Sequence, residues 1–207
     1  MLRSLAMLRL VVGALVGLAM VHASVAAADP LPVPTVALVV KDDPVPPVDP
    51  EKRFFKFRSG TRLLPTNRIV PPAVGSAGDP TLFGATLTVT NVGGDPQTLT
   101  IDLPAARWKV IGTATLLKGY QFHDDDVSDG PVFRVFVKTD KLFVVGGRTD
   151  WTYVLSTTPQ GGVAVRLDVG TGVSWCSEAP AKTPATIYDT PAKFVGVKGS
   201  IPALCAP

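Results

Sequence analysis

The fold is decided by the stretch VFRVFVKTDKLFVV at residues 132–145. It is the longest stretch without glycine or proline after the N-terminal leader, so a helix is the first structure to test. Its residues on both sides of a polar turn at 138–141 are β-branched or aromatic, however, and these residue types favour strands. We therefore predict two antiparallel strands, with Phe136 directly opposite Phe143.

Other segments show the same period of two. Apolar residues alternate with threonine in 85–90, and alternation resumes in 98–103 after a glycine-rich turn. It also covers 151–155 and 163–169. Short strands separated by glycine and proline are typical of an antiparallel β-sandwich, jelly-roll or immunoglobulin-like. We predict an all-β fold of about 8–11 short strands with long loops rich in proline and glycine.

The N-terminus has the layout of an export signal. Arg3 and Arg9 precede an uncharged apolar run at 10–21, and the small residues Ala26-Ala27-Ala28 follow. This order is typical of a cleavable signal peptide, and the run is shorter than the ~20 residues that a membrane-spanning helix needs. We predict a signal helix within residues 1–28, no transmembrane segment in the mature chain, and a secreted or periplasmic location.

Proline divides the rest of the chain. Eleven of the 20 prolines lie between Pro30 and Pro80, and proline lacks the amide donor that helices and central strands need. We predict a proline-rich N-terminal segment at 29–50 with one strand, at 36–41. A single β-sandwich domain is expected over 51–207.

The overall charge gives no sign of an electrostatic partner. The leader contains two of the 20 basic residues and none of the 17 acidic ones, so the mature chain is close to neutral. Nucleic-acid binders usually have a basic stripe, so no nucleic-acid partner is expected. We predict a solvated surface of mixed sign, with an extracellular protein or a glycan as the partner class.

Both cysteines lie near the C-terminus, at Cys176 and Cys205. An even count in an exported chain predicts one disulfide. Closing this loop stabilises the fold by ~3–4 kcal/mol on the chain-entropy view. The alternatives are a metal pair and a catalytic thiol, but the chain has neither a CxxC motif nor a histidine near either cysteine.

Histidine is scarce, which constrains catalysis. His123 is the one histidine outside the leader, so a Ser-His-Asp arrangement would have to use it. The chain has no Gly-x-Ser-x-Gly motif. A small secreted hydrolase that uses His123 or a carboxylate pair stays open as an alternative function.

The densest polar cluster is HDDDVSDG at residues 123–130. Asp124, Asp126 and Asp129 are candidate ligands for Ca²⁺, which prefers carboxylate oxygens. The EF-hand pattern is not met, because its twelfth position is Val135 rather than glutamate. An exposed turn and a calcium-dependent adhesion-type domain are therefore both open interpretations.

A set of short segments in a fixed order resembles a family of uncharacterised secreted bacterial all-β domains. The segments are DPEKR at 49–53, AGDPTL at 77–82, GATL at 84–87, KGYQF at 118–122, PQGGVAVRL at 159–167 and ALCAP at 203–207. The resemblance implies an exported all-β fold with a C-terminal disulfide and brings no catalytic residues. Members typically have a second cysteine pair, at positions that correspond here to Val132 and Gly146. The predicted register of the 132–145 hairpin places these two residues close together.

Together these observations predict an exported structural or binding module without a catalytic signature or a resident cofactor. The hydrolase and the calcium-dependent domain are the two alternatives.

Overall fold

The computed structural model describes residues 29–43, 48–61 and 66–202. The predicted signal helix at 1–28 and Cys205 lie outside the described residues. Strands make up 47% of the structure and helices 8%. This confirms the all-β class.

The described residues form thirteen strands and two one-turn α-helices. The strands are β1 (Leu31–Pro32), β2 (Thr35–Lys41), β3 (Phe54–Gly60), β4 (Ala85–Asn91), β5 (Thr98–Leu103), β6 (Trp108–Gly112), β7 (Leu117–His123), β8 (Val132–Lys138), β9 (Lys141–Gly147), β10 (Gly162–Val169), β11 (Val173–Pro180), β12 (Asp189–Thr190) and β13 (Lys193–Gly196). The helices are α1 (Pro80–Phe83) and α2 (Ala185–Tyr188), and 3-10 turns lie at Pro50–Lys52 and Ala105–Arg107. Neither α-helix of this described part has the length needed to cross a membrane.

The strands form two sheets that pack as a sandwich. The smaller sheet has five strands in the order β1-β11-β10-β4-β5, and the larger has eight in the order β12-β13-β2-β3-β9-β8-β7-β6. Neighbours are antiparallel except β1 and β11, which pair in parallel. The proline-rich segment supplies β2, which lies between β13 and β3 inside the larger sheet. It is therefore part of the sandwich.

The 132–145 stretch forms the β8–β9 hairpin, as predicted. Phe136 pairs with Phe143, and their ring centroids are 6.0 Å apart. Val132 pairs with Gly146, as the predicted register of the hairpin requires, and a β-bulge at Phe133 absorbs the shift in register. The preceding strands β6 and β7 extend the hairpin, so the four consecutive strands β6 to β9 lie side by side and antiparallel in the larger sheet.

The core lies between the sheets. The inward side chains of the smaller sheet include Leu87, Val89 and Leu167, and those of the larger sheet include Phe57 and Tyr120. Burying a large apolar side chain contributes ~1.5–3 kcal/mol. The alternation along each strand therefore fixes which side chains face out.

The segment 151–155 is not a strand, contrary to the prediction from its alternation. Trp151, Tyr153 and Leu155 are nevertheless buried. Two of its amides bond to side chains, since Val154 N–H donates to Gln97 Oε1 at 3.1 Å and Leu155 N–H to an Asp42 carboxylate oxygen at 3.1 Å. Alternating burial thus occurs here without a neighbouring strand.

Candidate functional site

The acidic loop after β7 closes around an arginine. Asp124 is fully buried, and its carboxylate accepts hydrogen bonds from the backbone amides of Ser128 at 3.3 Å and Asp129 at 2.9 Å. The Arg107 guanidinium lies 3.4 Å from Asp124 and 3.7 Å from Asp126, and its Nε donates to Asp129. Arg107 is therefore the cation that these three carboxylates share.

The carboxylates predicted to bind calcium point to this arginine and to backbone amides. Within the described residues, no group of three or more His, Cys, Asp or Glu side chains is arranged to hold a metal ion. The pKa of Asp126 is lowered below its ordinary value. The largest cause is a hydrogen bond with the Asp124 carboxyl, and the charge of Arg107 acts in the same direction. A general acid needs the opposite shift. No sequence pattern pointed to Arg107, which lies in the 3-10 turn before β6.

His123 ends β7 on the outer side of the larger sheet. Its Nε2 lies 2.8 Å from an Asp125 carboxylate oxygen and 2.9 Å from the Arg134 guanidinium. The nearby hydroxyl of Ser128 bonds instead to Asp124, Asp126 and Arg107. Among the described contacts, His123 therefore has a carboxylate partner but no serine nucleophile, which a Ser-His-Asp mechanism requires.

The outward side of the larger sheet is strongly positive. We call this side the basic face. It has six lysines, which are Lys41, Lys56, Lys109, Lys138, Lys141 and Lys193, and two arginines, Arg58 and Arg134. The one acidic residue in these eight strands, Asp189, is buried and accepts hydrogen bonds from the amides of Gln160 and Gly161.

The lysines of the basic face have no carboxylate partners within the described part of the chain. Three of them lie near two phenylalanine rings instead. Lys138 Nζ is 5.1 Å from the Phe136 ring centroid, and Lys56 and Lys141 are 5.9 and 6.0 Å from the Phe143 ring centroid. The ammonium groups themselves therefore lie within cation–π range of the rings, and a polyanion would not have to displace a carboxylate from them.

The smaller sheet has the opposite character on its outer side. Its outward positions are rich in threonine and include the acidic residues Asp102, Asp168 and Glu178. Its one basic strand residue, Arg166, pairs with Asp168 at 2.9 Å. The mixed-sign surface expected from the sequence therefore does not describe these two sheet faces, because the fold separates there charges that balance over the whole chain. The sequence pattern that predicts this separation of charge is the occurrence of lysine and arginine at outward positions of 35–41, 54–60 and 132–147.

The structure describes only one cysteine of the predicted disulfide. Cys176 is 5% exposed on β11, and Cys205 lies outside the described residues. The bridge stays a prediction.

Comparison of the chain with protein-family models, curated proteins and solved structures found no match. The resemblance to secreted bacterial β-domains therefore also stays a prediction.

Proposed function

We propose that this protein is an exported binding module that attaches to a polyanionic partner outside the cytoplasm through its basic face. The observation that carries this proposal is the separation of charge between the two sheets. Eight cationic side chains share one face, and its six lysines lack carboxylate partners in the described part of the chain. The export signal and the disulfide expected from the sequence support the location.

The number of cations on the basic face favours a polyanion over a small anion as the partner. A lysine or arginine near an anionic surface contributes about 1 kcal/mol, and several act together. Such a field also speeds encounter with an oppositely charged partner and weakens as salt is added. A broad sheet face with distributed lysines suits a partner with distributed negative charge.

The two alternatives have less support. The hydrolase lacks a hydroxyl bonded to His123 within the described contacts, and Asp126 has a lowered pKa. The calcium-dependent domain would need carboxylates that Arg107 already contacts. Neither observation affects the basic face.

The test compares two double variants with the same loss of charge. Lys56→Gln/Lys141→Gln removes two lysines from the basic face. Lys118→Gln/Lys198→Gln removes two exposed lysines outside it. Dextran sulfate serves as the polyanion, and binding is measured by titration calorimetry at low and at physiological salt.

We expect the wild type to bind dextran sulfate with an affinity that falls as salt rises. The face variant should bind about ten to thirty times more weakly, and the control variant should stay within about twofold of the wild type. Absence of binding by the wild type at low salt would overturn the proposal. Equal weakening in both double variants would also overturn it, because the charge would then act without regard to position.

A further inference from the structure

Two irregularities of the backbone meet on the basic face. The first is the β-bulge at Phe133, which lies between the paired residues Val132 and Arg134. The second is Arg148, directly after β9, which has a φ of 68°. Bulges redirect side chains and are common beside functional sites, and a positive φ is uncommon for a residue other than glycine. Both features aim side chains at one place.

That place is a hollow of about 330 Å³. It is lined by Asp125, Phe133, Arg134, Phe143, Val145 and Arg148. This volume lies at the lower end of the range for small-molecule sites, which combine apolar walls with a few polar groups. The hollow therefore has the size and lining to hold one ring-sized unit of a larger ligand.

The two guanidinium groups of the hollow are held differently. Arg134 lies 2.9 Å from His123 Nε2 and 3.5 Å from an Asp125 oxygen. The Arg148 guanidinium lies 5.6 Å from the Phe133 ring centroid and has no ion pair within the described residues. Arg148 is also exposed. Its guanidinium is therefore available to an incoming anion, with the Phe133 ring beside it.

We propose that the hollow binds an acidic sugar unit of an extracellular polysaccharide. This proposal rests on the proposed function and names its partner. The carboxylate of the sugar accepts hydrogen bonds from Arg148, and from Arg134 as a second donor, because a planar guanidinium matches a carboxylate. The ring packs against Phe133 and Phe143, and Asp125 accepts from sugar hydroxyls.

The basic face around the hollow has further cations that a long polysaccharide chain could contact. Val145 on β9 pairs with Lys56 on β3 and with Arg134 on β8, so these three residues form a row across the strands. Two strand spacings separate the cations at its ends by about 10 Å of backbone. A chain lying along this row would meet one cation at the hollow and another two strands away.

The distribution of apolar side chains argues for a polysaccharide over a lipid bilayer. The large exposed apolar residues of the described chain include Leu82, Phe83, Leu116 and Ile187, and none lies in a strand of the basic face. Surface binding to a bilayer usually combines charge with apolar side chains that enter the lipid. The basic face therefore offers charge and a hollow but no protruding apolar anchor.

The experiment uses polygalacturonate as the acidic polysaccharide and dextran sulfate as a polyanion without carboxylates. Arg148→Gln removes the exposed guanidinium, and Phe133→Ala removes the ring without a change of charge. Arg58→Gln is the matched control, since it removes one charge from the same face outside the hollow. Vesicles of phosphatidylglycerol supply the membrane arm, and circular dichroism checks that each variant folds.

Arg148→Gln should weaken polygalacturonate binding by about tenfold or more and dextran sulfate binding by about threefold at most. Phe133→Ala should weaken polygalacturonate binding alone, and Arg58→Gln should weaken both polymers by the same small factor. If Arg148→Gln does not fold, Arg134→Gln takes its place with the same expected selectivity.

Equal losses in Arg148→Gln and Arg58→Gln would overturn the sugar site. Binding to vesicles but not to polygalacturonate would also overturn it and would leave the polyanion function intact. Failure of the wild type to bind any of the three probes would overturn the proposed function itself.

Discussion

Buried carboxylates in this protein are held by backbone amides as well as by cations. Asp79 is 1% exposed and accepts hydrogen bonds from the amides of Gly75 at 2.7 Å and Thr81 at 2.9 Å. Burial alone raises the pKa of Asp79, but these hydrogen bonds and one from the Thr81 hydroxyl outweigh it and lower the pKa below the ordinary 3.8. The ionised carboxylate therefore stabilises the loop before β4.

Asp79→Asn should lower the free energy of unfolding by about 1–2 kcal/mol at pH 7. Because the folded pKa is lowered, this contribution is present above the unfolded pKa of about 3.9. It is lost as the pH falls through the folded pKa, so wild type and variant should converge in acid. Urea unfolding at pH 7 and pH 3 measures the difference.

Asp95→Asn is the control for this substitution, since Asp95 is exposed, and it should change stability little at either pH. A difference between wild type and Asp79→Asn that persists unchanged at pH 3 would contradict the role assigned to the charge.

At the scale of elements, side chains hold one segment of the chain in place where no neighbouring strand pairs with it. The segment 151–155 is held by Asp42, whose carboxylate accepts hydrogen bonds from Arg53 Nε at 3.0 Å and from Leu155 N–H at 3.1 Å. Arg53 also donates to the Trp151 carbonyl at 3.0 Å. The Asp42 side chain is 6% exposed and that of Arg53 is 16% exposed. This ion pair is therefore largely removed from water.

Asp42→Asn should lower the free energy of unfolding by about 3 kcal/mol, because it leaves a mostly buried arginine without its counter-charge. Asp43→Asn is the matched control, since Asp43 pairs with the exposed Lys52, and it should lose less than about 1 kcal/mol. Chemical denaturation monitored by tryptophan fluorescence compares the two variants. Similar losses in both would show that Asp42 does not fasten the segment.

The sequence allowed the elements to be predicted to different extents. The β8–β9 register followed from local pattern and turn chemistry, and the structure confirms it. The segment 151–155 had the same alternation but is no strand, because the Val154 and Leu155 amides donate to side chains of Gln97 and Asp42 rather than to a neighbouring strand. Alternation reports burial, whereas strand pairing depends on a neighbour that a single segment does not reveal.

At the scale of the whole molecule, topology determines the charge pattern. The basic pair β2–β3 lies far from the basic pair β8–β9 in sequence, and the pairing of β3 with β9 brings the two pairs together in one sheet. Near-neutral composition therefore predicted no electrostatic partner. The Arg107 cluster and the hollow at Arg148 were missed for the same reason, since each joins residues from separate turns and strands.

The disulfide is a further prediction at this scale. If Cys176 and Cys205 are bridged, a thiol titration of the unfolded, unreduced mature protein should find no reactive thiol. Reduction should release two thiols and lower stability by ~3–4 kcal/mol. Two thiols before reduction would contradict the bridge.

The central claim is that the basic face is the binding surface, and lysine acetylation with and without dextran sulfate tests it most directly. Mass spectrometry reads the extent of acetylation at each lysine of the intact, folded protein. We predict that the polymer protects Lys56, Lys138 and Lys141, whereas Lys118 and Lys198 react as they do in its absence. Equal protection of both groups, or protection confined to Lys118 and Lys198, would contradict the account.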